Sequence, residues 1–65
     1  MNIPVRVARV ALGLSQRALA ARCGLTQADI SRIELGWVPP RDSQQALAKA
    51  LRANLTTLFP TRRPS

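Results

Sequence analysis

The chain has 65 residues, of which ten are lysine or arginine and three are aspartate or glutamate, so its formal net charge is +7. A chain of this length forms one domain at most, and a hydrophobic fraction of 46% suffices for a small packed core. The single cysteine, Cys23, and the lack of histidine exclude an internal disulfide and a tetrahedral zinc site.

The same composition narrows the functional classes. Without histidine or tyrosine, and with so few carboxylates, the chain lacks the usual groups of acid–base catalysis, so neither an enzyme nor a cofactor is expected. The excess of cations favours a polyanionic partner, with nucleic acid ahead of a membrane surface. A lone cysteine suits a reducing compartment, which predicts a cytoplasmic location.

The first segment, MNIPVRVARVALGL, has the basic, acid-free composition of a transit peptide but the periodicity of a domain helix. Its apolar run is too short and too interrupted to span a bilayer, which needs about 20 residues. Val5, Ala8 and Leu12 recur at helical spacing and are predicted to face the core. Gly13 is predicted to end this first helix.

The second and third segments carry clear helix boundaries. Ser15 is a predicted N-cap for the second helix, and Gly24 stops it. Thr26 and Asp29 form a shortened capping box that opens the third helix. This helix is predicted to run to about Leu35. Its predicted buried stripe consists of Ile30 and Ile33.

A loop with two adjacent prolines separates these helices from the rest of the chain. Asp42 and Gln45 resemble a capping box at the start of the fourth helix, and Asn54 is a predicted cap for a short fifth helix. The sequence therefore predicts an all-α domain of five short helices over residues 1–60, followed by a basic, flexible tail over residues 61–65.

The second and third helices are joined by a tight glycine turn, an arrangement typical of a helix-turn-helix. Outside its buried stripe, the third helix exposes four side chains that are all uncharged or basic. Such a surface can enter a groove lined by phosphates, whereas a carboxylate-rich surface cannot. These side chains are Gln27, Ala28, Ser31 and Arg32.

The segment LSQRALAARCGLTQADISRIELG, residues 14–36, resembles the helix-turn-helix of the Cro/C1-type (XRE) repressors of bacteria and phages. The later LAKAL and NLTTLF segments extend the resemblance over nearly the whole chain. The resemblance implies a compact lambda-repressor-like DNA-binding domain whose third helix lies in the major groove. It also implies a bacterial or phage-encoded protein.

The resemblance carries several roles over to particular residues. Gln16 corresponds to an amide that binds a backbone phosphate, and Gln27, Ala28, Ser31 and Arg32 correspond to positions that face base edges. Chemically, Gln27 can pair with adenine and Arg32 with guanine, although Arg32 could equally take a phosphate. For Gln27, the alternative is a solvated residue at the start of a helix.

The other charged positions divide into structural and DNA-facing ones. Arg9 and Glu34 align with the family's internal ion pair, so Glu34 is predicted to be structural. Arg17 and Arg41 fall beside the elements that the family places against the sugar-phosphate backbone, and they are the remaining phosphate-contact candidates.

The loop after the third helix departs from the family pattern. Leu35, Trp37 and Val38 form an apolar cluster where polar and cationic residues are usual. This cluster either caps the core or forms an exposed patch for self-association or for a protein partner. The predicted dimer surface consists of Leu55, Leu58 and Phe59, with Trp37 as a second choice.

These observations predict a transcriptional regulator, a repressor by resemblance, that binds double-stranded DNA as a homodimer on a palindromic or pseudo-palindromic operator. No small-molecule ligand is expected. One alternative keeps the fold and makes the chain an interaction module, such as an antitoxin or antiactivator, whose main partner is a protein. Another, based on charge alone, is an RNA or non-specific nucleic-acid binder.

Overall fold

The computed structural model describes residues 2–60, and all regular structure within this range is helical. The all-α prediction with five helices is therefore confirmed, whereas the predicted tail, residues 61–65, lies outside the described residues. The helices are α1 (Ile3–Ala11), α2 (Gln16–Cys23), α3 (Gln27–Glu34), α4 (Arg41–Leu51) and α5 (Leu55–Leu58).

A single apolar core lies between these helices. α2 packs against both α3 and α4, and α1 packs against α3, α4 and α5. Burial of each large aliphatic side chain stabilises the fold by about 1.5–3 kcal/mol, so a chain this short depends on nearly every member of the core. The core consists of Val5, Leu19, Ala20, Ile30, Ile33, Leu47, Leu51, Leu58 and Phe59.

α1 buries less apolar surface than its sequence pattern predicts. Val5 is buried and Ala8 packs against the core, but the prediction that Leu12 faces inward is wrong, because its side chain is exposed. The helix has already ended at Ala11, and Leu12 is its C-cap residue. The position one turn after Val5 is occupied by Arg9, which is directed to an ion pair with Glu34.

The two helices of the predicted helix-turn-helix begin as the sequence indicates. The Ala18 N–H donates to Ser15 Oγ at 3.0 Å, which caps α2. Thr26 and Asp29 form a reciprocal capping box at the start of α3, with both backbone-to-side-chain distances at 3.1 Å. Gly24 ends α2 in the left-handed conformation, with φ at 70°. Each cap satisfies backbone N–H or C=O groups that a helix end leaves unpaired.

The predicted capping box of the fourth helix is wrong. α4 begins at Arg41, with Pro40 as its N-cap residue, and no side chain caps it. Because α4 begins at Arg41, Asp42 is already its second residue and does not occupy the capping position. Asp42 lies in the first turn instead, where its charge complements the helix dipole. Asn54 does occupy the N-cap position of α5, but its side chain makes no capping hydrogen bond.

The position of α5 corrects the dimer surface that the sequence predicted. Leu58 and Phe59 are only 1% and 6% exposed, because α5 turns them into the core. Their side chains are therefore occupied within the domain. Of the predicted dimer residues, only Leu55, which is half-buried, and Trp37, which is exposed, offer surface to a partner.

Asn2 connects three parts of the fold in a way that sequence analysis missed. Its side-chain Oδ1 accepts from the Val5 N–H at 3.1 Å, which caps α1. Its Nδ2 donates to the Leu58 carbonyl at 2.8 Å, and its backbone N–H donates to the Glu34 carbonyl at 2.9 Å. The start of α1 is thus tied to the ends of both α5 and α3.

Candidate nucleic-acid interface

The turn between α2 and α3 fixes the direction of α3. After Gly24, the Leu25 N–H donates back to the Ala20 carbonyl at 2.9 Å, which closes the end of α2. The Leu25 side chain then packs against the core. Because Ile30 and Ile33 are fully buried, α3 is held with one side against the core and the opposite side free.

The outer side of α3 carries the four residues that were predicted to face base edges. Gln27, Ala28 and Arg32 are exposed, and Ser31 is half-buried. The structure thus places all four away from the buried stripe and brings them together on one surface, which we call the α3 outer face. Direct contact between these side chains and bases stays a prediction.

Arg32 has two neighbours within the domain. Its Nη2 lies 3.1 Å from Asp29 Oδ1, one helical turn earlier. Its guanidinium carbon lies 5.1 Å from the centre of the Trp37 ring, within the range of a cation–π interaction. The two residues are also joined through the backbone, since the Trp37 N–H donates to the Arg32 carbonyl at 2.9 Å.

Asp29 places a carboxylate near the start of the α3 outer face, and this carboxylate already has hydrogen-bond partners within the domain. Hydrogen bonds from the Thr26 backbone N–H and hydroxyl, with a smaller effect of Arg32, hold the pKa of the Asp29 carboxyl below its usual value. A carboxylate with these partners stays ionised at neutral pH. Its two oxygens accept hydrogen bonds from the Thr26 N–H and from Arg32 Nη2.

Arg9 and Glu34 form the ion pair that the resemblance to the Cro/C1-type family implied. Arg9 Nε lies 2.6 Å from Glu34 Oε2, and Arg9 Nη2 donates to Oε1 at 3.2 Å. Arg9 Nη1 also donates to the Leu14 carbonyl at 2.8 Å, in the segment before α2. The side chains are only 13% and 7% exposed. This pair joins α1 to the last residue of α3 and so fixes the orientation of α3 within the domain.

Gln16, predicted to contact a phosphate, takes part in the same network. Its Nε2 donates to Glu34 Oε1 at 3.2 Å. An amide nitrogen has two N–H groups, so one remains for a phosphate oxygen while the other orients the side chain. Gln16 is half-buried at the first position of α2.

A hollow lies between α1, the start of α2 and the later part of α3. Arg6 lies at its edge with an exposed side chain, and sequence analysis did not single this residue out. The only sequence signal that pointed to Arg6 was the absence of acidic residues from α1. The hollow is lined by Arg6, Arg9, Gln16, Ser31, Glu34 and Leu35.

The other two predicted phosphate contacts are both exposed cations near helix starts. Arg17 is the second residue of α2, and Arg41 is the first residue of α4. Exposed cations at helix N-termini can bind phosphate, since the backbone N–H groups and the helix dipole also favour an anion there. Asp42 follows Arg41 directly and reduces the positive charge at α4.

The apolar cluster after α3 is exposed. Leu35 is 70% exposed, Trp37 42% and Val38 62%, so the cluster does not cap the core. Pro39, the next residue, is buried. Of the two roles left open by the sequence, the exposed patch is the one that the geometry fits.

Cys23 packs partly against the core, with Sγ 3.8 Å from the Ala46 carbonyl oxygen. Burial raises the pKa of its thiol, which disfavours the reactive thiolate. Over residues 2–60, His, Cys, Asp and Glu side chains form no group that could hold a metal ion. The same range contains no helix with the length and apolar character needed to cross a bilayer.

A protein-family model described as a helix-turn-helix domain matches residues 5–58 of the chain. No curated protein and no solved structure matches the chain. The matched range includes the capped helices α2 and α3, the glycine turn between them and the helices that pack behind them. Such a domain suggests DNA binding and agrees with the Cro/C1-type resemblance. By sequence and by architecture, this chain belongs to the helix-turn-helix domain family.

Proposed function

We propose that this protein is a sequence-specific, double-stranded DNA-binding regulator that inserts α3 into the major groove. The observation that carries the proposal is the α3 outer face, whose four side chains are uncharged or basic. The opposite side of the same helix is buried in the core. A helix presented in this way fits the major groove of B-DNA, which is about 12 Å wide. The net charge of +7 favours the approach to DNA.

The roles of the individual residues follow from their chemistry. Gln27 would pair with adenine and Arg32 with guanine, while the Ala28 methyl would contact a thymine methyl. Ser31 can donate to or accept from a base edge. Phosphate contacts would fix the domain on the duplex without reading sequence. The residues proposed for these contacts are Gln16, Arg17 and Arg41.

We further propose that the protein acts as a homodimer and represses transcription by occupying an operator. A single domain offers few base contacts, whereas two copies about 34 Å apart read two half-sites on one side of the duplex. Leu55 and Trp37 are the predicted dimer residues with surface left to contribute. The lone cysteine, with a thiol that burial keeps protonated, suits the reducing cytoplasm of a bacterial cell.

Selection of bound DNA from a random library tests this function most directly. The expected result is a short consensus repeated with dyad symmetry, with the repeat centres 10 to 10.5 base pairs apart or a multiple of that spacing. The matched control is the variant Gln27→Ala/Arg32→Ala, which keeps the core and the caps and should lose the consensus at the two base positions that these side chains read. A library that yields no enriched sequence with the wild-type protein would refute sequence-specific binding.

A second candidate function is an interaction module whose main partner is another protein. The exposed side chains of Leu35 and Val38 favour it, since adjacent exposed apolar residues often mark a binding surface. Salt dependence separates DNA binding from this alternative, and competitor DNA separates specific binding from charge-driven binding. The logarithm of affinity should fall with the logarithm of salt concentration by about 0.9 per phosphate contacted, and only specific binding should survive competitor DNA.

A further inference from the structure

We infer that Trp37 is a positioning residue for Arg32, so that the loop after α3 helps to determine which base the protein reads. This inference rests on the proposed function, because it assigns Arg32 to a base edge. It gives Trp37 a role within the domain, in addition to the dimer contact proposed for its exposed surface. The observation behind it is the contact of the Arg32 guanidinium with the Trp37 ring.

Three contacts restrict the Arg32 side chain. The indole ring lies 5.1 Å from the guanidinium carbon, and Asp29 Oδ1 lies 3.1 Å from Nη2. The backbone hydrogen bond from the Trp37 N–H to the Arg32 carbonyl, at 2.9 Å, holds the loop close to the end of α3. Arg32 is nevertheless 63% exposed, so its remaining surface is free to meet DNA.

The contact with the ring does not compete with base reading. An aromatic ring engages the flat face of a guanidinium, whereas guanine O6 and N7 accept hydrogen bonds from its edge. Asp29 takes one donor at Nη2, and the guanidinium has five N–H donors in all. Two adjacent donors therefore remain for a bidentate contact with guanine while Trp37 and Asp29 hold the side chain.

The contact with Trp37 favours DNA binding because it already restricts the Arg32 side chain in the free protein. A flexible arginine loses rotamer freedom when it is fixed against a base, and this loss reduces affinity. A side chain already restricted by a ring and a carboxylate loses less on binding. The benefit applies only where Arg32 contacts its base, so Trp37 should affect preference at one position of the site rather than affinity for DNA in general.

The first test concerns the contact itself in the free protein. Trp37 is the only tryptophan and the chain has no tyrosine, so its fluorescence reports on this site alone. Because the Arg32 guanidinium lies over the ring, we expect Arg32→Ala to raise the acrylamide quenching constant of Trp37. Arg22→Ala, which removes an exposed arginine from α2, is the control and should leave quenching unchanged. Equal quenching of the wild-type and Arg32→Ala proteins would overturn the inference.

The second test is a double-mutant cycle of Arg32→Ala and Trp37→Ala on the selected DNA site. Loss of an exposed cation–π interaction predicts that Trp37→Ala weakens binding to this site by about twofold to fivefold. It should weaken binding to random DNA far less, and it should add little when Arg32 is already replaced. Trp37→Phe keeps a ring and should retain most of the affinity, and Leu35→Ala is the control for loss of exposed apolar surface.

The outcomes distinguish the inference from the function on which it rests. If Trp37→Ala weakens selected and random DNA equally, or has the same effect without Arg32, then Trp37 does not position Arg32 and the proposed function still stands. If the wild-type protein selects no DNA site, both fail together. Selection repeated with Trp37→Ala should relax the consensus only at the base that Arg32 reads, and an unchanged consensus would also contradict the inference.

Discussion

Arg9 of α1 and Glu34, the last residue of α3, meet in a bidentate ion pair with nitrogen–oxygen distances of 2.6 and 3.2 Å. The pair is almost fully enclosed and joins the first helix to the helix proposed to enter DNA. A buried pair of this kind contributes little compared with an apolar pair, but removing one partner leaves an uncompensated charge.

A double-mutant cycle at this pair should therefore show strong coupling. We expect Arg9→Met and Glu34→Gln each to lower the free energy of unfolding by about 3 kcal/mol, and the double variant to lose much less than the sum of the two. Arg6→Met, an exposed arginine on the same helix, is the control and should change stability by less than about 0.5 kcal/mol. Additive losses in urea unfolding would show that the pair does not act as a unit.

Asn2 should stabilise the fold more than Asn54 does. Asn2→Ala removes the side-chain cap of α1 and the hydrogen bond to the Leu58 carbonyl, and should lower the free energy of unfolding by about 2 kcal/mol. Asn54→Ala is the matched control, because Asn54 also occupies an N-cap position but makes no capping hydrogen bond. Thermal unfolding of both variants checks the difference, and equal losses would contradict it.

The acid stability of the domain should depend on Asp29. Hydrogen bonds from the Thr26 backbone and side chain, and then the neighbouring Arg32, lower the pKa of the Asp29 carboxyl in the folded state. A group whose pKa is lower in the folded state stabilises the protein fully above its unfolded pKa, about 3.9 for aspartate, and this stabilisation is lost as the pH falls through the folded value.

We therefore expect Asp29→Asn to lower stability at neutral pH and to reduce the loss of stability below about pH 4 relative to wild type. Urea unfolding at a series of pH values from neutral to acidic measures this difference. Asp42→Asn, at an exposed carboxylate without a capping hydrogen bond, is the control and should follow the wild-type curve more closely. Parallel curves for wild type and Asp29→Asn would refute the assignment.

The proposed DNA contacts should separate into two classes by their effects. Gln27→Ala and Arg32→Ala should each cost about 1–3 kcal/mol on the selected site and relax preference at one base position. Arg17→Ala should weaken binding to all DNA and reduce the salt slope by about one. Arg22→Ala serves as the control for loss of positive charge alone. Equal losses of all three variants on selected and random DNA would contradict the base-reading assignments.

The sequence was most informative where a local signal decides a local structure. The caps at Ser15 and Thr26 and the left-handed turn at Gly24 depend on groups within a few residues of each other, so their chemistry is visible in the sequence. The Ile30 and Ile33 stripe, together with these boundaries, predicted which side of α3 is exposed. The position of Gln27, Ala28, Ser31 and Arg32 on the α3 outer face followed from that, whereas their contact with bases stays a prediction.

The sequence failed where several solutions satisfy the same local pattern. Leu12 continues the apolar repeat of α1, but the helix ends before it and leaves it exposed. Asp42 matches a capping signal, but Pro40 already opens the helix. Leu58 and Phe59 could cover a core or a partner, and only the packing of α5 shows that the core takes them.

The sequence alone therefore determined the helical class, the boundaries of α2 and α3 and the chemical character of the α3 outer face, because short-range hydrogen bonding and periodicity control these features. Tertiary structure alone decided that Asn2 binds the Leu58 carbonyl of α5 and that Leu58 and Phe59 pack into the core. Contacts of this kind depend on how the helices pack, and no local pattern specifies which side chains the packing brings together.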